Sequence, residues 1–293
     1  MRYAILSDVH GNLEALTAVL LDIQQASDEY GARIDQIWCL GDVVGYGPDP
    51  GECLRRIRRR CDICIPGNHD WAAVGQLNLD DFSPGAAESA RWTREQLVHD
   101  EQNYLKHLPQ VTCVGHFTLA HGSPSNPIWE YVTTAAVAAP NFAAFDTLVC
   151  VVGHSHLPAI FIQPSDARAV AAAPIHRATQ REVALAMSQP GGPTRMALEG
   201  DGNSANGGRT WGQCRRILPG MDPWRLPQGH RAIINPGSVG QPRDGDPRAA
   251  YMIFDTTFGF EFRRVPYDVA ATQRKIRERG LSARLAERLA RGT

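Results

Sequence analysis

Five short clusters of this sequence combine groups that bind metals or move protons: Asp8-Val-His10-Gly-Asn12, Gly41-Asp42, Gly67-Asn68-His69-Asp70, His121-Gly122 and Gly153-His154-Ser155-His156. Carboxylates, amide oxygens and imidazoles are metal ligands, and imidazole is also the commonest general acid near neutral pH. In a chain with 10 histidines any one such cluster is cheap. Their joint placement carries more, because each follows an apolar run that reads as a strand and each abuts a glycine. On extended backbone, residues i and i+2 point to opposite faces. The DxH and HxH pairs therefore converge only where strand has given way to loop, and Gly11 and Gly153 are expected to supply that turn. A two-metal centre needs two coordination shells and usually a shared carboxylate, with ions about 3.5–4 Å apart. Asp42, alone after its strand, is the natural bridge.

The elements that must position these groups are legible in the hydrophobic pattern. RYAILSD is a short apolar run, and LEALTAVLLDIQQA after Gly-Asn has helical spacing. The unit recurs as IDQIWCLGD with PDPGECLRRIRRR, whose proline stands near the helix start, and CDICIPGNHD is a third strand. Carboxyl ends of strands in an open α/β sheet share one edge, where ligands bind. Residues 84–108 read as helices, with Ser83 as N-cap and His99 and His107 on the surface. From about 110 the texture turns to β-type segments: VTCVG, FTLAHG, TLVCVVGHSH, AIFIQ, RAIINPGS, AAYMIFD and FEFRRV. An α/β half followed by a β-rich half implies two sheets packed face to face with helices outside.

Composition sets the remaining bounds. With 293 residues and 43% apolar content the chain has a proper core, and its net charge of −1 gives no global reason to bind nucleic acid or an anionic surface. No apolar run approaches the roughly 20 residues that span a bilayer. The start is too polar for a signal peptide, and the expected location is cytoplasmic. Seven cysteines without framework spacing fit a reducing compartment, and the lone Cys61/Cys64 pair is assigned no metal.

In order, DxHGN, GD, GNHD, HG and GHxH resemble the motif series of the calcineurin-like metallophosphoesterase superfamily, and NPGSVGQPR resembles its bacterial YfcE-type branch. The resemblance spans about 1–163 and 230–265. It implies a four-layer αββα sandwich of two mixed β-sheets flanked by helices. It implies one metal on Asp8, His10, Asp42 and His156 and another on Asp42, Asn68, His121 and His154, with His69 at the catalytic position. Four imidazoles with carboxylate and amide oxygens suit Mn²⁺, Fe or Zn²⁺ better than Ca²⁺ or Mg²⁺, and two Mn²⁺ ions are the first expectation. A hydroxide bridging them would attack phosphorus, with His69 protonating the leaving oxygen. Asp70 is expected either to orient His69 or to serve as a helix-start carboxylate. Asn12 is read as tying the first loop to the site or as a turn residue, and His121 is preferred over His116 by its strand-end context. Ser238 and Arg243 of NPGSVGQPR are candidate phosphate contacts, a structural turn with a surface arginine being the other reading.

Departures narrow the expectation. After Asp42 the chain runs Val-Val-Gly-Tyr46, without the nearby arginine of the protein Ser/Thr phosphatase and symmetric diadenosine tetraphosphatase branches. That points to a small phosphoester substrate, a phosphodiester before a monoester. A catalytically weak scaffold or protein-binding member of the same fold, as in the retromer-subunit branch, is the alternative class. A nucleic-acid phosphodiesterase rests only on the arginine-rich tail. The expected domains are a core of 1–163 plus 230–266, a partly flexible insertion at 164–229 that could act as a lid, and an amphipathic helix at 267–293, broken or bent at Gly280. Oligomeric state is not readable.

Overall fold

The computed structural model describes residues 1–29, 33–165, 214–220 and 222–293. Strand and helix alternate first: β1 (Arg2–Leu6), α1 (Leu13–Glu29), β2 (Gln36–Cys39), α2 (Pro50–Arg60), β3 (Ile63–Cys64) and α3 (Asn68–Ala73). Helices α4 (Pro84–Gln96) and α5 (His99–Lys106) follow, the first entered through Ser83 and Pro84. Then come β4 (Val111–Val114), β5 (Phe117–Ala120), α6 (Ala135–Asn141), β6 (Val149–Val151), β7 (Ala159–Pro164) and β8 (Arg215–Ile217). The chain closes with β9 (His230–Asn235), β10 (Ala249–Asp255), β11 (Gly259–Val265), α7 (Val269–Glu278) and α8 (Ala283–Leu289).

Two mixed sheets result, with strand orders β11-β10-β1-β2-β3 and β4-β5-β6-β9-β7-β8. Strands β1, β2 and β3 are mutually parallel, and so are β5, β6 and β9. The period-two alternation of side chains sorts each strand between two cores. Ile5, Trp38 and Met252 of the first sheet meet Phe117, Val151, Ile160 and Ile234 of the second in the inter-sheet layer. Their neighbours Ala4, Leu6 and Tyr251 face the opposite way, against Leu16, Val19 and Ile23 of α1 and Leu54 and Ile57 of α2. On the outer face of the second sheet, Cys150, Phe161 and Ile233 pack with Ala138 and Phe142 of the α6 segment. The architecture is thus helix, sheet, sheet, helix.

Part of the stretch expected as an insertion is joined to the sheets. Strand β8 pairs antiparallel with β7, and Trp224 bridges Phe260 at the edge of β11. Trp224 and Leu226 pack on the inter-sheet core, which the polar and proline-rich flanks of this segment do not announce. Of the insertion expected at 164–229 as a possible lid, residues 166–213 and 221 lie outside the described residues. The tail is two helices broken at Gly280, whose φ is +70°. It is more than a solvated face: Lys275 contacts Glu14 at 2.5 Å and Asp49 at 2.8 Å, and the Thr272 hydroxyl donates to Asn12 Oδ1 at 3.1 Å. These bonds clamp the first strand-end loop from outside. No helix among the described residues is long and apolar enough to cross a membrane.

Candidate metal centre

The parallel strands of both sheets deliver their carboxyl ends to one edge. Asp8 and His10 follow β1, Asp42 follows β2, Asn68 opens α3 after β3, His121 follows β5, and His154 and His156 follow β6. Backbone bonds continue the ladders past the strands and fix the loops against one another. Asp8 N donates to Gly41 O at 3.0 Å, His10 N to Asp42 O at 2.9 Å, Gly153 N to His121 O at 2.8 Å, and Gly240 N to Asp8 O at 2.9 Å.

The turns that bring i and i+2 together are made by the functional residues themselves. Asp8, His10, Asp42, His154 and His156 all have φ between +49° and +62°. Left-handed backbone costs a residue with a Cβ about 1–2 kcal/mol, so five such positions mark a region that the rest of the fold holds under strain. The expectation for Gly11 agrees, at φ +58°. Gly153 has a different reason to be glycine: a Cβ there would collide with the Ser7 side chain, so its role is close approach rather than turning.

Two groups of side chains converge. Asp8, His10, Asp42 and His156 form one and Asp42, His121 and His154 the other, with the potential ligand atoms of each group within 4.8 Å of one another. Asp42 belongs to both. Its Oδ1 accepts the backbone N–H of His69 at 2.8 Å, while Oδ2 has no hydrogen-bond partner and faces His10 Nε2 at 3.5 Å and His121 Nε2 at 3.4 Å. Asp8 repeats the pattern: Oδ1 accepts from His154 N at 3.2 Å and Oδ2 is left unpaired. Three imidazoles have Nδ1 at a backbone carbonyl: His10 at Val44 O, 3.3 Å, His121 at Leu40 O, 2.8 Å, and His156 at Gln241 O, 2.5 Å. A carbonyl only accepts, so Nδ1 carries a proton in all three rings, and in His10 and His156, which burial keeps neutral, Nε2 presents a lone pair inward. Asn68 Oδ1, His121 Nε2 and His154 Nε2 are also buried without a partner. Buried polar atoms are rarely orphaned. This concentration of unpaired, inward-facing nitrogen and oxygen atoms fits divalent cations, which would displace the His121 proton, and the N/O donor set fits transition metals.

The calcineurin-like phosphoesterase family profile matches residues 1–158, more than half of the chain. The chain belongs to that family. A metallophosphoesterase of Sphaerobacter thermophilus shares 40% identity, with a TM-score of 0.72 over 100% of this chain and 99% of that one. An uncharacterized protein of Methanocaldococcus jannaschii is 32% identical over 98% of this chain and 96% of its own length. The symmetrical bis(5′-nucleosyl)-tetraphosphatase of Erwinia tasmaniensis is 28% identical over 46% of this chain and 48% of its own.

Electrostatics separate the groups of this phosphoesterase. Burial pushes the Asp8 carboxyl up to about 7, against the pull of nearby His121. Burial opposes ionisation of Asp42 too, but His121 and His69 overcome it and hold that carboxyl well below the usual range. His121 is the counterpart: burial disfavours its charge, and Asp42 overrides this and lifts the ring to about 9. Burial drives His69 down to about 4 and His154 to about 3, and it holds His10 and His156 well below the ordinary imidazole value.

The residues expected around the metals divide. His69 stands beside the centre, its ring 5.0 Å from that of His10 and its Nδ1 unpartnered. Asp70 does not orient it. Its carboxylate accepts from Val44 N at 3.0 Å and Gly67 N at 2.9 Å, so Asp70 is a helix-start carboxylate that ties the Asp42 and Asn68 loops together. Asn12 likewise turns inward on the fold: Oδ1 accepts from Ala15 N at the start of α1, and Nδ2 donates to Gly240 O at 2.9 Å. Ser238 donates to Asp8 O and accepts from Gln241 N, a fully buried loop brace. Arg243 does reach the site region, held by a bond from its N–H to His156 O and by Nη2 to Gln241 Oε1, with Nε buried and unpaired. His116 lies half-buried in the β4–β5 hairpin, outside both metal groups.

The sequence reading missed an aromatic rim. Tyr46, at φ +59°, puts its ring 4.3 Å from His69 and 4.8 Å from His10. Tyr131 stacks on His154 at 3.8 Å. Phe82 lies 5.5 Å from His69 and 4.9 Å from Trp129. Isolated aromatics in loops have no periodicity to flag them; Tyr46, between two glycines just after Asp42, was the one readable cue.

Proposed function

We propose that this phosphoesterase is a two-metal hydrolase of small phosphoesters, with phosphodiesters favoured and two Mn²⁺ ions as the working metals. Asp8, His10, Asp42 and His156 would hold one ion, and Asp42, Asn68, His121 and His154 the other. The observation that carries the reading is the bare Oδ2 of Asp42, faced from two sides by imidazole nitrogens of the two groups at 3.5 and 3.4 Å.

When bound, the cations would supply Lewis-acid stabilisation of phosphoryl charge and acidify coordinated water from pKa 15.7 to roughly 7. The chain's own residues do the rest. The strained loops fix the donor atoms in advance, so little reorganisation accompanies binding. Arg243 brings a guanidinium with an unpaired Nε to the metal edge, suited to a phosphoryl oxygen. His69 is neutral in the free protein because burial holds it at about 4. An incoming phosphoryl group places negative charge beside it and raises its proton affinity, which equips the ring to hand a proton to the leaving oxygen. The loop after Asp42 carries Tyr46 and no arginine, which supports a substrate other than that of the symmetrical tetraphosphatases.

The experiment is hydrolysis of bis-p-nitrophenyl phosphate and p-nitrophenyl phosphate with Mn²⁺ by the wild-type chain and by Asp42→Ala. A rate lost in Asp42→Ala, with the diester preferred, supports the reading. Equal low rates in both proteins would reject it and favour a scaffold instead.

A further inference from the structure

The aromatic rim stands on a segment built for rigidity. Gly122, next to His121, lets residues 126–130 fold back onto it: a Cβ there would meet Asn126 O at 2.7 Å and Glu130 N at 2.9 Å. Gly122 N donates to Pro127 O at 2.6 Å and Ser123 N to Asn126 O at 3.1 Å. Glu130, between the two aromatics, accepts from Asn141 Nδ2 at 2.6 Å, and Asn141 is itself 1% exposed. Trp129 and Tyr131 are thereby anchored on either side of a pinned residue.

Anchoring normally accompanies burial, yet these rings are not buried away. Tyr131 keeps 47% of its surface exposed while one face stacks on His154 with an interplanar angle of 25°. Trp129 and Phe82 are half-buried, and Phe82 in turn touches His69. Rings thus lead outward from the metal centre along two lines, Tyr131 from His154 and Phe82–Trp129 from His69. The Arg243 guanidinium lies near enough to the Tyr131 hydroxyl to counter the upward push of burial on it. An anion clamp beside fixed, open aromatic faces is the arrangement for a ligand with a phosphate at one end and a flat ring at the other.

We propose that Tyr131, with Trp129 and Phe82, selects phosphoesters whose organic group carries an aromatic ring. The inference rests on the phosphoesterase reading above and specifies the substrate class of that site. A nucleobase and a simple aryl group share the required chemistry. Stacking on a preset ring is worth about tenfold in affinity, because little side-chain freedom is lost on binding.

The test compares esters whose leaving alcohols match in reactivity: adenosine 5′-monophosphate against ribose 5-phosphate, and 2-phenylethyl phosphate against hexyl phosphate. The full Mn²⁺-loaded chain is assayed as wild type, Tyr131→Leu and Tyr131→Phe. The wild type should favour the ring-bearing member by about tenfold in kcat/KM in at least one pair, the pair identifying the source of the ring. Tyr131→Phe should keep the ratio and Tyr131→Leu should bring it to within about twofold of unity. Equal kcat/KM within both pairs, or a ratio that survives Tyr131→Leu, would overturn the proposal. Calorimetric binding of the same four compounds separates the two readings. Ring-dependent binding without turnover of these four monoesters or of bis-p-nitrophenyl phosphate would reject the hydrolase and leave the ring site standing. Turnover or binding without ring dependence would reject the ring site alone.

Discussion

Nε2 of His10 lies 3.1 Å from Nε2 of His156, although each ring carries its proton on the opposite nitrogen, at a backbone carbonyl. Two lone pairs are therefore pressed together in a buried place, and a cation between them turns repulsion into coordination. Metal removal should cost stability as well as activity. At a Mn²⁺ concentration a hundred times Kd, each site should contribute about 2.7 kcal/mol, equivalent to a Tm rise of roughly 4–5 °C per site over chelated protein. Thermal melts across a Mn²⁺ titration read this directly. A Tm independent of Mn²⁺ would mean that the two rings do not share a cation.

His69 touches the centre but belongs to neither metal group, so its removal should separate chemistry from metal binding. His69→Ala should lower kcat by about 10²–10⁴-fold at unchanged Mn²⁺ stoichiometry. An unchanged kcat would take the acid role from His69.

Acidification should unfold the metal-free protein, and the sign follows from the burial of its imidazoles. His69 is held at about 4, His154 at about 3, and His10 and His156 well below the ordinary imidazole value of 6.5, so these four stay neutral in the fold while the unfolded chain takes up protons below 6.5. Asp8 and Asp70, raised to about 7 from 3.8, act oppositely: the fold holds their protons in that window and the unfolded chain does not. The unfolded state gains up to two protons net, so stability present above pH 6.5 should be lost as pH falls toward 4. The limiting slope is about 3 kcal/mol per pH unit. Urea midpoints of chelated protein at several pH values measure it, and a midpoint that is flat or rises on acidification would contradict the assignment.

Lys275 is the shared partner of Glu14 and Asp49. Lys275→Met keeps the aliphatic stem but leaves two part-buried carboxylates facing each other without a cation. A loss of about 1–2 kcal/mol is expected, read as a lower urea midpoint with an unchanged m-value. An unchanged midpoint would mean that the clamp contributes nothing.

The residues that converge on the candidate metal centre were legible because such chemistry needs particular side chains at strand ends, and strands announce themselves by apolar runs such as RYAIL and TLVCVV. The two-sheet architecture was legible for the same reason. The backbone state of these residues was not: propensity assigns left-handed turns to glycine, whereas Asp8 and His154 adopt them in loops held by Asp8 N to Gly41 O and by His154 N to Asp8 Oδ1. Asp70 shows a second limit, since a carboxylate beside a histidine looks like an orienting partner until the backbone N–H groups of Val44 and Gly67 claim it. Strand β8 shows a third. Three residues, RRI, are too short and too charged to read as strand, and pairing with β7 decides their state.

The bond between Asn12 and Thr272 joins positions 260 residues apart. At a synthesis rate of roughly 5–20 residues per second, the first loop emerges about 13–50 s before the helix that pins it. During that interval its aspartate and histidine lack both the tail clamp and the partners contributed by later strands. The clamp on the first loop can therefore close only after every residue of the candidate metal centre has already emerged.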